Sequence, residues 1–230
     1  MEKEKIIELD TGVKAEMTWK VVEQDVVSFD IETYRWGEKP LIGEQILQDI
    51  ADNYVKPDII AKHQHTAIEK QALSPLTGKI ILTGFYAGED KYVQYFAEGN
   101  EKATITNTIT ELQSYLAQGY RLITKGGRRF DLPYLLTRAA ILGVECEFAY
   151  KYKDLFSRYN TMYHTDLELI FEGGLQKLGY AMGMLESPTN KGNEIGRMYE
   201  GDQMGQIQEK NKEDLKLTYD IYQRIKWWNL

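Results

Sequence analysis

The stretch Val26-Val27-Ser28-Phe29-Asp30-Ile31-Glu32-Thr33 constrains this chain more than any other. Val27, Phe29 and Ile31 recur with a period of two, which is the period of a β-strand. Their side chains share one face, and that face needs a core to pack on. The same alternation sets Asp30 and Glu32 together on the opposite face, two carboxylates close together on a rigid frame. A solvated outer strand face accommodates such a pair. So does a site that gathers cations.

The remaining pattern says what surrounds the strand. Helices are predicted over 37–56 and 57–73, punctuated by Pro57, with Ile46, Ile50 and Tyr54 at helical spacing. Residues 79–86 and 91–96 read as a hairpin turning at Gly88-Glu89-Asp90. A helix over 105–118, a strand over 120–125 and a helix over 131–142 follow. A short element lies near 163–167, a helix over 174–184, and a long terminal helix over 204–227. Strands first, then mixed elements, imply a mixed β-sheet flanked by helices in an α/β layer fold. At 230 residues the chain is expected to be one domain, 1–230, with its core at about 20–226.

Two further acids stand in defined frames. Lys125-Gly126-Gly127 lets the backbone turn tightly after a strand. Asp131 then precedes Leu132-Pro133 and an apolar helical run, the place of an N-cap with proline in the first turn. A cap and a metal ligand are compatible, since a carboxylate has two oxygens. Asp214 falls inside the terminal helix, on a stripe with Ile207, Lys210, Thr218 and Ile221. Apolar neighbours on that stripe turn the acid toward protein. A boundary acid paired with Lys210 is the alternative, although lysine before aspartate is the less favourable order on a helix. Four carboxylates able to meet can hold two divalent ions side by side, an arrangement that cuts phosphodiesters.

The bulk numbers narrow the class. A net charge of −7 argues against a scaffold that lives off phosphate neutralisation. It leaves room for a metal-dependent enzyme with a local basic rim. Cys146 is the one cysteine, so neither an intrachain disulfide nor a Cys-x-x-Cys zinc site is expected. Its neighbours Val144 and Phe148 suggest a buried thiol. No apolar run long enough for a membrane span and no secretory signal is visible, so no membrane association and a cytoplasmic location are the expectations.

In this order the three acidic blocks resemble the motifs of the DEDD, or DnaQ-like, 3′→5′ exonuclease superfamily. Phe29-Asp30-Ile31-Glu32-Thr33 matches its first motif. Arg128-Arg129-Phe130-Asp131-Leu132-Pro133-Tyr134-Leu135 is similar to its second, and Asp214-Leu215-Lys216-Leu217-Thr218 to its third. Two connecting stretches, 72–80 and His164-Thr165-Asp166-Leu167, resemble the stand-alone branch related to the proofreading domain of family B DNA polymerases. The resemblance implies an RNase H-like fold and metal ligation by Asp30, Glu32, Asp131 and Asp214. It also implies two divalent ions, Mg2+ or Mn2+, and hydrolysis at a 3′ end. The expected substrate is single-stranded DNA. An RNA-directed enzyme of the same superfamily and a weakly catalytic module that binds nucleic-acid ends are the alternatives. A polymerase or another replication or repair protein is a candidate partner.

The chain departs from the superfamily beside its last acid. A Tyr four residues before it, or a His five before it, orients or deprotonates the attacking water. Here those places hold Lys210 and Glu209. Lys210 is expected to act as a point charge on phosphate or nucleophile, with His164, Tyr199 or Tyr219 as alternative groups that swing in. Thr33, Tyr34, Arg128, Arg129 and Phe130 flank the acids and are the candidate substrate contacts, the arginines on phosphate and the rings on terminal bases. A solvated arginine pair and a core-packed Phe130 are the plainer readings. Asp166 is a supporting carboxylate or the cap of the next turn. His63 and His65 form no metal motif. Lys151-Tyr152-Lys153 and Arg158-Tyr159 mix basic and aromatic residues in a way that suits single strands, or an ordinary loop. Trp227-Trp228 closes a core or faces a partner.

Overall fold

A computed structural model of the chain describes residues 2–8, 14–20, 24–35, 41–88, 91–96, 99–147, 153–157, 162–188 and 194–228. Phe148, Lys151-Tyr152, Arg158-Tyr159 and most of the expected 88–90 turn lie outside those residues. Strands β1 (Glu2–Glu8) and β2 (Lys14–Lys20) pair antiparallel with each other. Sequence patterning placed no element there, because charged residues crowd the stretch and hide any apolar alternation.

The main sheet has five strands: β3 (Val26–Arg35), β4 (Gly78–Tyr86), β5 (Tyr92–Phe96), β6 (Arg121–Thr124) and β7 (His164–Asp166). Their order is β5-β4-β3-β6-β7. β4 runs antiparallel to both β3 and β5, while β3, β6 and β7 are mutually parallel. The acid-bearing strand is therefore central. That explains why seven of its ten residues are buried, on both faces. A register shift in the β3–β4 pairing falls between Glu32 and Thr33, just past the second acid.

Seven helices are described: α1 (Leu41–Asn53), α2 (Pro57–Lys70), α3 (Glu101–Ala117), α4 (Asp131–Leu142), α5 (Leu175–Ala181), α6 (Ile195–Glu200) and α7 (Met204–Ile225). Val27, Phe29 and Ile31 pack with Ile105, Ile109 and Leu112 of α3 and Leu132 and Leu135 of α4. Burying each such side chain is worth about 1.5–3 kcal/mol, and Leu112→Ala would cost about 2–5 kcal/mol in this close-packed layer. On the other face α7 packs Leu217 and Ile221 against Val26 and Ile123. Ile207, near the start of α7, joins Tyr34, Ile81 and Leu82 in a third cluster.

Most elements lie where the pattern put them, with trimmed ends. α3 starts four residues before its expected start at Ile105. Asn100 supplies the cap, accepting a hydrogen bond from the Ala103 N–H at 3.1 Å. The threonines that follow are poor helix formers and obscured that start. α6 was not foreseen. α4 ends at Gly143 in the left-handed conformation (φ 62°), a C-cap that glycine adopts without strain. Among the described residues no helix is long and apolar enough to cross a membrane.

Candidate active site

The site begins with a match of spacings. Two residues of strand advance roughly 6.6 Å, and four residues of helix about 6 Å. α7 lies along β3, so Ser28 and Asp30 meet successive turns of the helix, and Lys210, beside Asn211 on the same turn, reaches Glu32 with its longer side chain. Ser28 Oγ donates to the Leu215 carbonyl at 2.8 Å. One step on, Asp30 Oδ2 accepts from Asn211 Nδ2, also at 2.8 Å. Glu32 Oε1 then accepts from Lys210 Nζ at 2.7 Å. The polar face of β3 is thus covered by helix and is no solvated outer face.

The close approach needs Gly84, which pairs with Asp30 on β4. A Cβ there would stand 2.2 Å from Asn211 Oδ1 and 2.5 Å from Leu215 Cδ1. With hydrogen in that place, Asn211 is fully buried, and its Oδ1 accepts from Gln94 Nε2 at 3.0 Å. The first acid is therefore tied through Asn211 to β5.

Lys210 bridges two acids. Its Nζ lies 2.9 Å from Asp214 Oδ2 as well as 2.7 Å from Glu32. The other Asp214 oxygen, Oδ1, accepts from Gln176 Nε2 of α5 at 2.5 Å. Asp131 comes from the opposite side of the strand. It is the first residue of α4 and not its cap, since Phe130 holds that place. Its Oδ1 accepts the Ile31 main-chain N–H at 3.3 Å, which draws it onto the acid strand between Asp30 and Glu32.

The loop that carries Asp131 is organised by Asp166. Asp166 Oδ1 accepts from the N–H of Gly126 at 2.7 Å and of Glu168 at 3.0 Å, and Oδ2 from the N–H of Arg128 at 2.9 Å. Gly126 has φ 91°, where a side chain would also meet Glu168 Oε2 at 2.7 Å. Asp166 thus both supports the loop and caps its own turn.

Electrostatics follow from crowding acids out of water. Burial raises the Asp30 pKa well above the carboxylate range, and the charges of Asp131, Glu32 and Asp214 push the same way against Lys210. Burial also raises Glu32, with Lys210 opposing. Asp131 rises to about 7, through burial first, although hydrogen bonds from the N–H groups of Ile31 and Asp131 itself oppose the shift. Burial acts to lower the Lys210 pKa, but Glu32, Asp214 and Asp30 outweigh it, so the ammonium keeps its proton more firmly than usual. Lys210 is a fixed positive charge here and not a base.

Other expected contacts lie elsewhere. Tyr34 is buried, its ring 4.5 Å from that of Tyr199 and its hydroxyl donating to Glu200 Oε1 at 2.9 Å, so it offers no face to a base. The Arg128 guanidinium turns onto the His164 carbonyl and away from solvent. Arg129 is the exposed member of the pair, with Nη1 3.0 Å from Glu168 Oε1. Phe130 is half-buried against Tyr134, and Thr33 is half-buried on the strand. None of the three substitutes for the missing Tyr stands among the acids. His164 is fully buried, with its ring nitrogens 2.8 Å from Thr124 Oγ1 and the Leu155 carbonyl, and burial lowers its pKa to about 4. The Tyr199 hydroxyl accepts from Lys79, and Tyr219 packs edge-on against Tyr86. Pattern reading missed Asn211 and Gln176. An asparagine between two charged residues in a helix carries no local signal, and the clue lies in Gly84, far away in sequence.

The donor set suits a hard divalent cation, which prefers carboxylate oxygens. As the side chains stand, no three or more His, Cys, Asp and Glu groups among the described residues are gathered into a ligand set, and Lys210 lies between Glu32 and Asp214. The burial that raises three of the carboxyl pKa values is the kind that an added cation relieves.

The mixed five-stranded sheet flanked by helices, with the acid-bearing strand at its centre, is an RNase H-like fold. Residues 90–229 match the family described as "Predicted 3'-5' exonuclease related to the exonuclease domain of PolB", and the chain belongs to that family. The matched segment holds Asp131 and Asp214, while Asp30 and Glu32 precede it. Among solved structures, the family B DNA polymerase from the hyperthermophilic archaeon Pyrobaculum calidifontis superposes with a TM-score of 0.63 at 14% identity. That alignment covers 98% of this chain and 28% of the polymerase chain, so this chain spans little more than a quarter of its length. At that identity the likeness concerns fold. No curated protein sequence matches the chain.

Proposed function

We propose that this chain is a metal-dependent 3′→5′ exonuclease that removes nucleotides from single-stranded DNA, with residues 1–230 forming one exonuclease domain. The observation that supports it most is that Asp30 lies within the fields of Asp131, Glu32 and Asp214, four acids drawn from two strand positions and two helices, with Lys210 bridging Glu32 and Asp214. In this reading the four acids hold two divalent ions, Mg2+ or Mn2+. When bound, such ions supply an activated water and a clamp on the scissile phosphate.

The chain's own residues then have distinct tasks. Asn211 fixes the Asp30 carboxylate by donating to Oδ2. Asp166 shapes the loop that presents Asp131. Lys210, charged throughout the neutral range, donates to a phosphate oxygen and takes no proton from water. Arg129 is exposed beside the loop and supplies positive charge to the strand backbone, with Thr33 and Phe130 at the rim. A polymerase or another replication or repair protein would be a fitting partner, in the cytoplasm.

One observation favours a second reading. Lys210 stands where an aromatic is expected, and that suits a module that binds nucleic-acid ends and cuts weakly. Matched DNA and RNA strands incubated with Mn2+ separate the cases. The exonuclease reading expects mononucleotides from DNA. Retention of full-length strands with measurable binding would favour the module, and preferential RNA loss the exoribonuclease.

A further inference from the structure

The four acids divide into two unlike pairs. Glu32 and Asp214 share a resident cation, with Lys210 Nζ 2.7 Å from one and 2.9 Å from the other. The three side chains are only 11%, 9% and 14% exposed for Lys210, Glu32 and Asp214, so water screens the contact little. Both Asp214 oxygens accept N–H donors, from Gln176 and Lys210. Asp30 and Asp131 instead accept hydrogen bonds from neutral donors, the Asn211 amide and the Ile31 N–H, and Lys210 reaches Asp30 through its charge alone.

A divalent ion needs carboxylate oxygens at about 2.0–2.6 Å. It cannot take the facing oxygens of Glu32 and Asp214 while an ammonium lies on both, and the two cations repel each other. Lysine is well suited to such a temporary post. Its charge is compact and sits on a flexible four-carbon stem, free to leave for a stronger anion.

We propose that Lys210 is a built-in competitor for one of the two divalent ions. In the chain free of nucleic acid it holds the cation position between Glu32 and Asp214, and a single ion is taken up on the Asp30–Asp131 side. The second position opens when the ammonium moves away, and the group with the charge to draw it is the phosphate of a nucleic-acid end. Lys210 thereby makes full metal loading depend on substrate. This rests on the exonuclease reading above and adds to it an order of events.

The test counts ions. Mn2+ is titrated calorimetrically into the full chain without nucleic acid. The wild type is expected to take up one ion, Lys210→Met two, and Lys210→Arg, which keeps the charge, one. Metal-free K210M leaves Glu32 and Asp214 without their cation, so it melts lower than wild type, and Mn2+ raises its Tm by more. Lys210→Gln, which keeps an amide donor for Glu32, repeats the comparison in a less perturbed site. Two ions in the wild type, or one in both wild type and K210M, overturns the proposal and leaves the exonuclease reading standing wherever 3′ ends are still degraded. No Mn2+ uptake by any of the proteins overturns both.

Discussion

Two of the places where the described residues bury carboxylates are built in opposite ways. Glu101, at the start of α3, is 7% exposed and faces Arg138 of α4, itself 4% exposed. Glu101 Oε2 lies 2.5 Å from Nη2 and Oε1 2.8 Å from Nε, a two-point contact. Oε1 also accepts the Ile80 N–H at 2.8 Å, and Arg138 Nη1 donates to the Pro75 carbonyl at 3.1 Å. One acid meets one base with good geometry, the condition under which a buried pair is tolerated. Around Asp30 four acids share the field of a single lysine that touches only two of them, and burial with mutual repulsion raises the Asp30 pKa well above its usual value. The balanced pair clamps two helices and a strand. The unbalanced cluster costs stability, the pattern that buried acids show at functional sites.

The contrast is sharpest in mutants. Asp30→Ala or Asp131→Ala is expected to lower nucleotide release by about a thousandfold or more, since each removes charge stabilisation at the reacting phosphate. Relief of repulsion should leave the melting temperature of the purified mutant unchanged or higher. Arg138→Ala should do the reverse, costing about 3–5 kcal/mol in urea unfolding by stranding Glu101, while folded molecules keep their activity. Equal loss of stability at both places would erase the distinction.

A smaller effect is expected at Gly84. Its replacement by Ala forces a Cβ against Asn211 and Leu215, costing about 1–3 kcal/mol. Since the strain falls on the residue that holds Asp30, activity should drop further than stability alone explains. Activity that tracked the folded fraction would show that Asn211 does not position Asp30.

The mildest probe is pH. Asp131 titrates near 7 in the folded chain against an ordinary value of 3.8, so between those values the folded state holds more protons than the unfolded one. Stability of the metal-free protein should therefore fall as pH rises through that window. Mn2+ competes with the same protons, so its affinity should rise over the same range. Melting curves with and without Mn2+ at pH 5.5, 6.5 and 7.5 check both signs at once.

The acids were legible in the sequence because each lies in a local frame. Alternation around Asp30 and Glu32, the glycine-hinged turn before Asp131 and the stripe around Asp214 are short-range patterns that the fold preserves. The partners were not legible, because each comes from a distant element. Lys210 reads from sequence as a helix neighbour of Asp214, and its second contact with Glu32 depends on how α7 lies along β3. Asn211 matters only because Gly84 admits it. Tyr34 reads as an open aromatic, yet Tyr199 of α6 covers it, and α6 itself has no strong periodicity to announce it. His164 looked like an available base, but β7 pairs with β6 and buries it against Thr124.

One digestion tests directly what the unbalanced acids do. Single-stranded DNA labelled at the 3′ end in one sample and the 5′ end in another is incubated with the wild-type chain and the D131A variant, with Mn2+ or with chelator. Labelled mononucleotide should be released at once from the 3′-labelled strand, and the 5′-labelled one should give a descending ladder. Both should require the metal and vanish in D131A. Release beginning at the 5′ end, undiminished release with chelator, or full activity in D131A would contradict the exonuclease reading.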